Sequence, residues 1–82
     1  MCRSITTLRG LEPAATPEEI EAAARQFVRK VSGIRHPSAA TEEPFARAVS
    51  EITVAASRLL DELPPRKQPP KTVPPNRLGH PL

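Results

Sequence analysis

The stretch Thr-Pro-Glu-Glu-Ile-Glu-Ala-Ala-Ala-Arg-Gln-Phe-Val-Arg-Lys-Val-Ser-Gly at 16–33 decides the fold. Its apolar residues Ile20, Ala23, Ala24, Phe27, Val28 and Val31 are spaced by three and four, the interval that stacks side chains on one helical face. Both ends carry stop signals. Thr16 with Glu19 three residues on forms a capping box, which satisfies two otherwise orphaned donors, and Pro17 fits the first helical position. Glu18, Glu19 and Glu21 suit the positive end of the helix dipole, and Arg25, Arg29 and Lys30, late in the helix and off its apolar face, suit the negative end. Gly33 is the natural residue to leave the helix in a left-handed conformation. The spacing predicts a helix over 17–32.

A second helical period follows, over Phe45, Ala48, Val49, Ile52, Ala56, Leu59, Leu60 and Leu63. It is expected to start near Thr41, a residue able to cap, and to run over about 41–63. Pro44 is tolerable in the first turn, where N–H groups lack intrahelical partners. Pro64-Pro65 ends the helix, because proline disfavours helix at the residue before it. Two such helices joined by a short loop predict an all-α antiparallel helical hairpin. Before it, Ile5, Leu8 and Leu11 fit either a helical turn or an extended segment, expected to pack across the open side of the hairpin through Ile5 and Leu8. On this reading Phe27 and Phe45, the only aromatics, are both expected to be buried, since each lies on its helix's apolar face.

The chain has 82 residues and 11 prolines, seven of them within 64–82. The folding body is therefore 1–63, and 64–82 is a Pro-rich basic tail whose composition favours polyproline II or disorder over a packed core. The net charge of +3 divides accordingly. The body holds eight basic and nine acidic residues; the tail adds Arg66, Lys67, Lys71 and Arg77 with no acid. A body this short, with so little aromatic content, is a marginal monomer, so a protein partner or a homodimer is expected. A deep-pocketed enzyme is not.

One cysteine excludes an internal disulfide framework. The N-terminus carries Arg3 and Arg9 but no apolar run of a signal peptide, and nothing approaches the length of a membrane span. The expectation is a cytoplasmic protein without membrane contact. Of the chemical side chains, Cys2 stands out: removal of the initiator Met would leave its thiol beside a free amine, with Arg3 favouring the thiolate. His36 and His80 have no zinc-type spacing with it, so no metal and no cofactor are expected. Arg25, Arg29, Lys30, Arg35 and His36 form a basic run that an anion or nucleic-acid backbone would suit, unless Glu42 and Glu43 neutralise it. A helix-turn-helix DNA reader is disfavoured, because the second helix has no basic residue in its first turn.

Three stretches read together carry a resemblance: Met-Cys-Arg-Ser-Ile-Thr-Thr-Leu at 1–8, Ala-Thr-Pro-Glu-Glu-Ile continuing to Arg-Lys-Val-Ser-Gly over 15–33, and Pro-Ser-Ala-Ala-Thr-Glu-Glu-Pro-Phe-Ala-Arg-Ala-Val at 37–49. The chain resembles the small bacterial proteins grouped as domain of unknown function 2277, over about 1–63 and stopping at the Pro-rich tail. Ser4 and Thr41 stand where Asn is expected in relatives, and Pro44 where a helix former is commoner. The resemblance implies a bacterial, cytoplasmic, all-helical protein, and supplies no activity, cofactor or catalytic residue. It marks Cys2, Arg3, Arg29, Lys30, Ser32, Gly33, Pro37 and Ser38 as recurring positions. Gly33 and Pro37 have backbone explanations. The candidate functional residues are accordingly Cys2, Arg3, Arg29, Lys30 and His36. The expected function is a non-enzymatic protein-interaction module; the alternatives are a nucleic-acid-associated accessory using the basic tail and the 25–36 run, and a Cys2-based thiol or metal sensor.

Overall fold

The computed structural model describes residues 5–65, and within them two helices, α1 (Pro17–Ser32) and α2 (Glu42–Glu62), packed on each other. Among the described residues there is no strand. The fold is an all-α helical hairpin, as the two periods predict. The tail beyond residue 65, and with it the expectation about its conformation, lies outside the described residues.

The start of α1 follows its sequence signals closely. Thr16 is extended at φ −84° and ψ 159°; its Oγ1 accepts from the Glu19 N–H at 3.1 Å, and the Glu19 carboxylate accepts from the Thr16 N–H at 2.9 Å. The reciprocal pair is part-buried, and Glu19 itself is the one charged residue buried among those described. At the other end Gly33 adopts φ 74° and donates to the Arg29 carbonyl at 2.8 Å, while the Ser32 hydroxyl donates to the Val28 carbonyl at 2.7 Å. The Gly33 N–H thus takes up the first of the four terminal carbonyls, that of Arg29.

The start of α2 differs from expectation. Thr41 occupies the cap position, yet its side chain makes no cap bond into the helix. Its Oγ1 faces backward and accepts from the Ser38 N–H at 2.8 Å. Ser38 in turn offers its carbonyl to the N–H groups of both Thr41, at 3.0 Å, and Glu42, at 2.8 Å. The turn 38–41 supplies the first acceptor that a capping side chain otherwise frees the helix from needing. The helix ends as its prolines require: Leu63 is extended at φ −77° and ψ 145°, and its N–H closes on the Leu59 carbonyl at 3.1 Å.

The core between the helices is small. Ala24 and Val28 from α1 meet Phe45 and Val49 from α2, with Ile34, Ala48 and Ile52 packed half-buried around them. Ile20 and Leu11 are buried beyond this cluster. Phe45 and Phe27 part company here. Phe45 is 5% exposed, but Phe27 is 48% exposed, so the expectation that both are buried fails for Phe27. The reason lies in the wheel of α1. Ile20, Ala24 and Val28 form a strict four-residue row against α2, and Phe27 sits a quarter-turn aside, past the width a single partner helix covers.

The N-terminal segment is irregular over 5–8, turns at Arg9 and Gly10, and enters α1 after a cis Glu12–Pro13 peptide. Its anchor is Leu11, 5% exposed, rather than Ile5, which is 37% exposed, or the half-buried Leu8. Leu11 lies with Leu60 and Leu63 at the end of the hairpin where α1 begins and α2 finishes. The Arg9 guanidinium donates to the Pro64 carbonyl at 2.8 and 3.3 Å and ties that end together.

Candidate functional site

Two concave surfaces flank α1, and they differ in chemistry. The first is a groove of about 590 Å³ at the C-terminal end of the helix, lined by Gln26, Arg29, Lys30, Gly33, Arg35 and His36. Positions 26, 29, 30 and 33 follow the three-four rhythm of one helical face, the face turned away from Ala24 and Val28. The left-handed turn at Gly33 then brings the chain round, so that Arg35 and His36 close the groove from the loop.

No acidic residue lines this groove. Among the described residues the ion pairs are Arg25 with Glu21 at 2.8 Å and Arg47 with Glu43 at 3.4 Å, both one turn apart on their own helix. Arg25 therefore leaves the basic run that the sequence suggests. Glu43 is taken up within α2, and neither it nor Glu42 reaches the loop cations. Arg29, Lys30 and Arg35 hold three positive charges without a carboxylate partner among the described residues.

The second surface is a cleft of about 330 Å³ between the helices, walled by Phe27, Val31, Ile34, Pro44, Ala48 and Ile52. No charged residue lines it. Val31 is 70% exposed beside Phe27. Leu59, two turns beyond Ile52 and 54% exposed, carries the apolar strip along α2. The opposite side of the hairpin is another matter: there the cleft is mixed, with Ala46, Val49 and Val54 beside Ser50 and Thr53 and the Arg25–Glu21 pair on its α1 wall.

Of the five residues nominated from sequence, Arg29, Lys30 and His36 come together in the basic groove. Cys2 and Arg3 lie outside the described residues. Sequence reasoning left Gln26 out of the run because it is uncharged, and nominated Arg35 only as part of the run; the 26, 29, 30, 33 spacing was the signal that groups Gln26 with the cations. Among the described residues no group of three or more His, Cys, Asp or Glu side chains is placed to hold a metal ion, and no helix is long and apolar enough to cross a membrane.

Fold and surfaces define a small all-α hairpin with one basic and one apolar concavity. The chain belongs to the family described as Uncharacterized conserved protein (DUF2277), whose model matches residues 1–77. The match runs past residue 63, where the resemblance was expected to stop, and takes in most of the Pro-rich tail. No curated protein and no solved structure matches the chain.

Proposed function

We propose that this protein is a non-enzymatic interaction module that assembles with a second copy of itself through the apolar cleft. The observation that carries the reading is the exposure of Phe27, at 48%, together with Val31, at 70%, on the cleft wall that α2 leaves uncovered. Contiguous apolar surface of this kind on a small soluble domain is the usual mark of an interface. A cleft between two helices accepts a helix face, read through anchors three and four residues apart.

Two arguments favour a second copy as the occupant. The cleft walls offer apolar side chains and no charge, so the partner must bring an apolar helical strip, and the chain carries one in Pro44, Ala48, Ile52 and Leu59. Two hairpins facing each other through these strips make a four-helix arrangement, a closed two-fold assembly. The intrinsic core also needs supplementing. Among the described residues its buried apolar side chains number six, and none of them is below 2% exposed. A copy of the same chain supplies the missing burial wherever the protein is present.

Sedimentation of the full chain is the test. The reading expects a species of twice the 8.9 kDa chain mass at high-micromolar concentration. Phe27→Asp, at a position already half-exposed, is expected to return it to single-chain mass with its helices intact. Single-chain mass for the unsubstituted protein would reject self-assembly.

A further inference from the structure

We propose that the groove formed by Gln26, Arg29, Lys30, Arg35 and His36 binds the phosphate groups of a small phosphorylated molecule. The inference concerns the other flank of α1 and does not rest on the self-assembly reading.

The charge balance is the starting point. Arg29, Lys30 and Arg35 bring three positive charges to one groove with no acid on its walls. Cations near a helix C-terminus are partly explained by the macrodipole, which amounts to roughly half a negative charge. That accounts for a fraction of three charges. Of the last four carbonyls of α1, that of Arg29 already accepts from the Gly33 N–H. Among the described residues neither Arg29 nor Arg35 donates to a helix carbonyl, so the guanidinium groups do not serve as caps. Like charges gathered at one place repel, so an unneutralised cluster is a standing cost that an anion relieves.

Residue type and shape narrow the anion. Two guanidinium groups present planar donor forks that match phosphate oxygens bidentately, and the Lys30 ammonium adds a point charge. Gln26 and His36 contribute further N–H donors at the edges. A groove of about 590 Å³ is in the range of sites that hold small ligands, roughly 300–1,000 Å³.

Charge elsewhere argues for a small ligand over a long polyanion. Outside the groove, residues 5–65 carry four basic side chains, Arg9, Arg25, Arg47 and Arg58, against nine acidic ones, a balance of −5. A duplex laid over the groove would run onto this acidic surface, and phosphate contacts must be many to give nucleic-acid affinity. A compact phosphate ester meets only the positive groove.

The experiment is an amide NMR titration of the full chain with inorganic pyrophosphate, repeated with inorganic phosphate and with a short DNA duplex. Saturable shifts confined to 26–36 are expected, with pyrophosphate binding more tightly than phosphate. Arg29→Gln with Arg35→Gln removes two charge-assisted contacts and is expected to weaken pyrophosphate by more than about tenfold. Lys30→Gln, at an exposed position, is expected to weaken it in the same direction without touching the fold, which circular dichroism checks. Neutralising Arg66, Lys67, Lys71 and Arg77 to Gln is expected to leave the affinity unchanged. Shifts centred on 66–77, affinity untouched by the groove variants, or tighter binding of the duplex than of pyrophosphate would each overturn the proposal, the last in favour of a nucleic-acid accessory.

Discussion

Phe45 and Phe27 sit on the same kind of helical face in the sequence and end in opposite environments. Phe45 is enclosed by Ala24, Val28 and Val49; Phe27 stands half in solvent beside Val31. A two-helix hairpin has one mutual interface, and each helix can satisfy a row about one side chain wide. The apolar stripe on α1 is broader than that: Ala24 and Val28 are buried against α2, while Phe27 and Val31, on the neighbouring four-residue row, stay exposed. The surplus width is what a monomer cannot use. The inner row therefore supports the fold, and the outer row is free to support an interface.

Five substitutions sharpen this contrast, in order of expected effect. Phe45→Ala removes a buried ring, 5% exposed, and is expected to cost about 3–5 kcal/mol, enough to abolish cooperative thermal unfolding in a domain whose whole stability is of that order. Retention of the wild-type melting profile would mean that the inner row does not hold the hairpin together. Next, Gly33→Ala probes the left-handed turn that shapes the basic groove. A Cβ there meets nothing within 4 Å, so the cost is backbone strain alone, about 1–2 kcal/mol, read as a lowered denaturation midpoint. Thr16→Ala deletes half of the capping box and is expected to cost about 1 kcal/mol by urea denaturation; the same change at Thr41, which makes no cap bond into α2, is expected to cost less. Equal losses at the two threonines would contradict the difference between the helix starts. The smallest effect belongs to Phe27→Ala. In dilute solution, where single chains prevail, it is expected to change stability by less than about 1 kcal/mol, because half the ring is already in water.

Much of this architecture was legible in the residues. Helix α1 announced itself through local chemistry, a capping box at one end and a glycine at the other, and its limits fell as the sequence predicts. Helix α2 was legible in its period and in the prolines after it. The role of Thr41 was not, because an N-cap preference says which residue types can cap, while the choice between capping forward and bonding backward to Ser38 is made by the loop conformation. The burial of Phe27 was overestimated for a related reason. Periodicity identifies an apolar face, but how much of that face is covered depends on the number and crossing of the neighbours, which no spacing records. The basic groove was half visible. Arg29, Lys30, Arg35 and His36 read as a run along the chain; that Arg25 would be withdrawn to Glu21 and Gln26 brought in depended on which side of the helix each faces.

The proposed interface between copies is the outer row of α1 together with the strip on α2. Thermal unfolding of the full chain followed across a hundredfold range of protein concentration, alongside Phe27→Asp, tests it most directly. Mass action requires the melting temperature of a dimer to rise with concentration. That rise is expected for the natural sequence and its loss in Phe27→Asp, which should melt at one temperature throughout. A melting temperature independent of concentration in both proteins would contradict it.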